Sequence, residues 1–257
     1  MRYAALNIEI SVLLFCVKLP IYHVEKAVPK ALEERNLFVN KSKTEFYTIS
    51  RNSSEDWKKC KLVGSKLDSK EDIKHRKSLA HSAFNKWASV LCNRKTSNNF
   101  KVRLFSAFVE SIFLYNCELW GLTKKDEEEI NVLQRNFLRK MFNYRYTETR
   151  ENWPSNIELY AKTNQIPWSE TIRKRRLSFF GHVCRLSEET PARKALKEAL
   201  NPVPRPRGRR KTTYLDTVKK DLKNCDIQSI EEGINIAQTK ALWNYRTLEK
   251  VERRNIQ

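Results

Sequence analysis

From residue 70 onward the apolar residues recur at intervals of three and four, a spacing that lines them along one face of a helix with about 3.6 residues per turn. Ile73, Leu79, Ala80, Ala83, Phe84, Trp87, Val90 and Leu91 make one such stripe. Leu104, Ala107, Phe108, Ser111, Ile112, Tyr115 and Leu119 make a second. Thr123 is positioned to cap a third helix, whose first turn holds Asp126 to Glu129 and whose end holds Arg139 and Lys140, charges of the sign each helix terminus favours. Helical patterns continue over 155–163, 168–186, 191–200, 213–224 and 239–254, the helix at 191 opened by Thr190-Pro191 as cap and first residue. Residues 225–238 are ambiguous. So regular a recurrence over so long a stretch predicts a mainly α fold.

Before residue 70 the pattern changes. Val24 to Arg35 has the charge pattern of an exposed helix, bent or begun at Pro29. Short β-prone pieces follow: LFVN at 37–40, EFYTI at 45–49, and KCKLVGSKLD at 59–68, where Gly64 suits a turn or bulge. The apolar run Ile10–Val17 is too short to span a bilayer and is followed by Lys18 and Pro20, which predicts a buried strand and no membrane partner. A small N-terminal α/β portion with a β-hairpin is therefore expected over 1–69. Helical units follow over 70–145 and 146–200. The stretch 201–212, containing NPVPRPRGRR, cannot be helical and reads as an extended basic linker, with C-terminal helices over 213–257.

Charge narrows the function. The chain carries 50 Lys and Arg against 30 Asp and Glu, a formal net charge of +20. Between Thr171 and Lys223 there are 16 basic and 5 acidic residues, so this segment supplies +11 of that excess and is where a polyanion would sit. Within it, RKRRLSFFGHVCRL (173–186) sorts on a helical wheel into an apolar half, with Ile172, Leu177, Phe179, Phe180, Val183, Cys184 and Leu186, and a polar half, with Lys174, Arg175, Ser178, His182 and Arg185. Arg173 and Arg176 fall in the apolar half and are expected to snorkel. Gly181, costing about 1 kcal/mol against alanine mid-helix, implies that something approaches the backbone closely there. The cations read as a solvated face. They serve either as plain surface charge or, with the Pro/Arg run that follows, as contacts to phosphate.

Several chemistries lack their residues. Nucleotidyl transfer by two metals needs carboxylates about 4 Å apart, and no aspartate pair of that kind occurs. The acidic cluster 126–129 reads as helix capping. His182 and Cys184 offer two zinc ligands without a partner pair, and burial is the better account of Cys184. GxxxxGK[ST] and HExxH are both absent. The six cysteines (16, 60, 92, 117, 184, 225) show no paired spacing and predict reduced thiols, in the nucleus or cytoplasm. Trp87, Trp120, Trp153, Trp168 and Tyr214 lie near cations and suit either base stacking or core, the periodicity placing Trp87 and Trp120 on buried faces.

NKSKTEFYTI (40–49), KCKLVGSKLDSKEDIKHRKSLAHSAF (59–84), VRLFSAFVESIFLYNCELWGLT (102–123), INVLQRNFLRKMFN (130–143), SETIRKRRLSFFGHVCRL (169–186) and PRGRRKTTYLD (206–216), in this order, resemble the C-terminal half of a non-LTR (LINE-type) retrotransposon reverse transcriptase. The resemblance spans about residues 22–225. It implies that Asn40, Lys43, Thr44 and Glu45 end a palm, that Leu62–Ser65 belong to the hairpin supporting the primer terminus, and that the helices after residue 70 form a thumb and a basic extension along template and primer. Lys43, Arg173, Lys174, Arg175, Arg176, His182, Arg185, Arg205, Arg207, Arg209, Arg210 and Lys211 are then the candidate contacts to RNA, DNA or an RNA–DNA hybrid.

One departure decides the activity expected. The family's metal-binding Asp pair follows an aromatic-Ala step, and here Tyr3-Ala4 is followed by Ala5-Leu6. The Mg²⁺ cofactor of the full-length family then has no ligands in this fragment. A truncated reverse transcriptase that binds nucleic acid without polymerising is expected, the alternatives being a domesticated, non-enzymatic scaffold and a non-functional retroelement relic.

Overall fold

Helices dominate the computed structural model, which describes residues 30, 32–36, 38, 61, 62, 64–144, 153–201 and 212–254. The pieces expected at 10–17 and 45–49 lie outside the described residues, as do 24–40 apart from 30, 32–36 and 38, and 201–212 apart from its two end residues. The chain divides into two compact units, Met1–Asp72 and Ile73–Gln257.

In the first unit, strand β1 (Lys61–Leu62) pairs antiparallel with β2 (Ser65–Lys66), Lys61 opposite Lys66 and Leu62 opposite Ser65. Gly64 makes the turn at φ 79°, a left-handed conformation that side-chain-bearing residues adopt only with strain. Helix α1 (Ser69–Leu91) starts immediately after. Asp68 caps it, its carboxylate accepting from the backbone N–H groups of Lys70 and Glu71, both at 3.1 Å. Asp72 accepts from the Lys66 N–H at 2.9 Å and so ties the hairpin to the first helical turn.

In the second unit α1 follows the periodicity of the sequence except at Leu79, which is exposed, and what comes next departs from it further. Ala80, Phe84 and Leu91 of α1 are buried. Next come α2 (Asn98–Phe105), a π turn (Ser106–Glu110), α3 (Ser111–Phe113) and a 3₁₀ turn (Cys117–Leu119). Here the wrong stripe was expected inside. Phe108, Tyr115 and Leu119 are 40%, 44% and 46% exposed, while Phe105, Val109, Phe113 and Cys117 are fully buried. Both stripes are apolar, and the buried one repeats strictly every four residues. In a straight α-helix such a repeat drifts by about 40° per step. The wider i→i+5 turn at 106–110 counters that drift and keeps the stripe aimed inward.

Helix α4 (Lys124–Met141) opens with the expected cap, a reciprocal Thr123–Asp126 box. There follow α5 (Asn156–Thr163), α6 (Trp168–Arg185), α7 (Pro191–Leu200), α8 (Tyr214–Asn224), α9 (Ile230–Ala237) and α10 (Lys240–Arg254). Helix α9 occupies the segment that periodicity left ambiguous, with Ser229 accepting from the Glu232 N–H at 3.0 Å as its cap.

Two buried clusters meet on α6. The first gathers α1–α4 around Trp168, whose indole stacks on Phe113 at 4.5 Å and on Phe105 at 6.0 Å, with Phe137 tilted at 6.3 Å. Its Nε1–H donates to Glu110 at 3.0 Å. Trp168 and Trp120 are thus core residues. The second cluster joins Leu177, Phe180, Val183 and Cys184 of α6 to α8, α9 and Trp243 of α10. Gly181 explains itself here. A Cβ at that position would lie 2.7 and 2.8 Å from the Cε2 and Cδ1 of Trp243, so only glycine admits the indole, whose Nε1–H donates to the Leu177 carbonyl at 3.2 Å.

Candidate nucleic-acid interface

Helix α6 is anchored at its start by amides from α4. The Trp168 N–H donates to the Gln134 side chain at 2.8 Å, and the Ser169 N–H to Asn131 at 3.0 Å, so two of the donors a helix start leaves open are satisfied from outside. With the helix fixed in rotation, its four consecutive cations take different directions.

Arg173 and Arg176 point inward. Arg176 is 0% exposed, its Nε donating to Asp221 of α8 at 2.7 Å and its Nη1 to the Trp120 carbonyl at 3.2 Å. Arg173 holds Glu170 through Nη1, at 2.7 Å to each carboxylate oxygen, and the other oxygen of Asp221 through Nε at 3.3 Å. Burial pushes the Asp221 carboxyl above the usual carboxylate range, and Arg176 and then Arg173 offset this in part. The snorkelling expected of Arg176 is therefore wrong, and it leaves the set of phosphate contacts because none of its surface reaches solvent. A buried carboxylate 45 residues later in the chain holds it instead. Arg173 is committed to two carboxylates in the same way.

Lys174, Arg175, Ser178 and His182 point outward. With Thr171 and Phe179 they line an open cavity of about 570 Å³, joined by Glu118 of the 3₁₀ turn. Arg175 is exposed, lines the cavity and donates one N–H to the Leu114 carbonyl at 2.9 Å. Arg185 is half-buried and donates to the Ala237 carbonyl at 2.9 Å, where it caps the C-terminus of α9 rather than extending the open face. Elsewhere in the basic segment Lys194, Lys197 and Lys220 face Glu189, Glu188 and Glu127. These three lysines, like Arg173 and Arg176, are thus engaged with carboxylates.

Of the candidate contacts, the structure thus brings Lys174, Arg175 and His182 together. Lys43, Arg205, Arg207, Arg209, Arg210 and Lys211 lie outside the described residues. Glu118 and Phe179 were missed. Phe179 sits at the margin of the apolar half-face, half-buried, and Glu118 comes from a turn that no local pattern links to α6.

Cys184 is buried while His182 is exposed, so the two do not share a metal-facing side, and burial pushes the Cys184 thiol up to about 11. Among the described residues, no group of three or more His, Cys, Asp or Glu is placed to hold a metal ion. Nor, among them, is any helix long and apolar enough to cross a membrane. Comparison with protein-family models, with curated proteins and with solved structures finds no match.

Proposed function

We propose that this chain binds nucleic acid and is of the LINE-type reverse transcriptase kind, resembling the C-terminal half of that family. The observation that carries the reading is the outward face of α6, where Lys174, Arg175 and His182 converge on one open cavity within the most basic segment of the chain. The ordered succession of motifs over residues 22–225 supports the family. In this reading the β1–β2 hairpin stands for the support of a primer terminus, and α1–α4 for the thumb. Alanine and leucine at positions 5 and 6 offer no oxygen ligands, so the Mg²⁺ of the full-length family does not fit there and no catalytic step is assigned.

The test is a salt titration of binding to a labelled RNA–DNA hybrid. If the α6 face and the Pro/Arg run together neutralise about five phosphates, log K falls against log salt with a slope near −4.5, a loss of several hundred-fold between about 50 and 200 mM. Replacing Lys174, Arg175 and His182 by alanine flattens that slope by two to three units. Absence of binding at the low-salt end overturns the proposal, as does a slope that these replacements leave unchanged.

A further inference from the structure

Glu118 is out of place in a groove built only for phosphate. It is half-buried, it lines the same cavity as Lys174, Arg175 and His182, and among the described residues it makes no hydrogen bond or ion pair. A carboxylate there repels phosphate oxygens and, if it were merely a counter-charge, would pair with one of the cations beside it. Phe179 lines the same cavity, its ring only partly covered. The wall therefore combines a π surface, a carboxylate without a donor, and cationic donors along one helix face at positions 174, 175 and 182.

Resting on the nucleic-acid reading above, we propose that this cavity takes an unpaired guanine of a single strand. The base stacks on Phe179, its Watson–Crick edge meets Glu118, and the flanking phosphates meet Arg175 and His182. A single-stranded base presents both its face and its pairing edge, which a duplex hides. A carboxylate has two acceptor oxygens and no donor. Guanine alone offers two neighbouring donors on that edge, N1–H and N2–H. Uracil offers one donor flanked by two carbonyls that the carboxylate repels, while adenine and cytosine each offer a single amino group. A volume of about 570 Å³ falls within the ordinary size of a small-ligand pocket and suits one nucleotide rather than a duplex.

The test uses the full chain and fluorescence anisotropy at one salt concentration, with a short all-uracil oligoribonucleotide and the same strand carrying guanines at its centre. A carboxylate–guanine fork is expected to favour the guanine strand by about tenfold. Glu118→Gln, which presents one acceptor where the carboxylate presents two, removes that preference while the uracil strand binds as well or better. Phe179→Leu keeps the apolar volume and weakens both strands. Unfolding midpoints of the two variants within a few degrees of the parent show that the fold is intact, and Glu118→Asp is read for partial recovery of the preference. Equal affinity of the parent for the two strands overturns the guanine assignment and leaves nucleic-acid binding standing. Loss of binding to both strands and to the hybrid overturns both readings. Displacement of the strand by GMP at comparable concentration also overturns the strand assignment, since the site would then serve a free nucleotide. The deoxy versions of the two strands repeat the comparison for DNA.

Discussion

The two cores that share α6 are built differently. The first is a stack of aromatic rings, Phe84, Phe105, Phe113 and Phe137 gathered about Trp168, with buried Gln134 and Lys101 hydrogen-bonded at its edge. The second is mostly aliphatic around a single indole, and it depends on two special arrangements: Gly181 against Trp243, and, at the border between the cores, Arg176 against Asp221. Ring stacks tolerate sliding and tilting. A buried ion pair and a missing Cβ do not, because each becomes unfavourable as soon as one partner changes. The second core should therefore be the more brittle half, although α6 makes the two cores neighbours.

The largest effect expected from this difference is at Asp221. Its replacement by alanine leaves the Arg176 guanidinium buried without a counter-charge and should cost about 3–5 kcal/mol in denaturant unfolding. The double change Arg176→Met with Asp221→Leu should recover most of that loss; a double variant no more stable than Asp221→Ala would show that the pair itself, not the uncompensated charge, carries the stability. Next is Phe180→Ala, at about 3–5 kcal/mol from lost burial and the cavity left behind. Met in place of Phe113, in the ring stack, should cost only about 1–2 kcal/mol. Phe180→Met, the like-for-like change in the second core, should cost more than Phe113→Met, and equal costs would break the contrast between the cores.

Gly181→Ala should cost about 1–3 kcal/mol through the indole it displaces, and Trp243→Leu in the same chain should relieve part of it, giving a coupling energy of about 0.5–3 kcal/mol in a double-mutant cycle. Strict additivity would mean that the helix shifts instead of the ring. A smaller effect is chemical and common to both cores. Burial pushes the thiol of Cys117, in the first core, up to about 12 and that of Cys184, in the second, up to about 11. A raised thiol pKa means less thiolate at any given pH, so both alkylate slowly in the folded protein. Alkylation read site by site by mass spectrometry should find Cys117 and Cys184 both slow in the folded protein and fast once it is unfolded. At the base of the scale, Ser178→Ala on the exposed face of α6 should change stability by no more than about 0.5 kcal/mol.

Local sequence carried the fold further than the site. The α1 stripe, the Thr123 cap, the polar and apolar halves of α6 and the demand at Gly181 all follow from residues a few positions apart, and the structure has each of them. The π turn could not be read, because the stripe it turns inward and the stripe it leaves outside are both apolar at helical spacing, and only the rings of Phe137 and Trp168 decide between them. The fate of Arg176 was half visible. Its place on the apolar half of the wheel was plain, but the carboxylate that makes burial affordable belongs to another helix. Glu118 left no trace in the sequence, since a glutamate beside a cysteine in a turn has no periodic context.

Because Trp168 and Ile172 belong to one cluster and Leu177 and Phe180 to the other, α6 acts as a phase reference for the chain. A substitution anywhere along it alters one seat. A single inserted or deleted residue between 172 and 177 instead rotates everything after it by about 100° relative to everything before. Phe180 and Gly181 would swing away from Trp243, and Asp221 would meet a different side chain from Arg176. This short interval can accept new letters but not a new length, which makes it the stretch of the protein where an altered residue count would be most sharply felt.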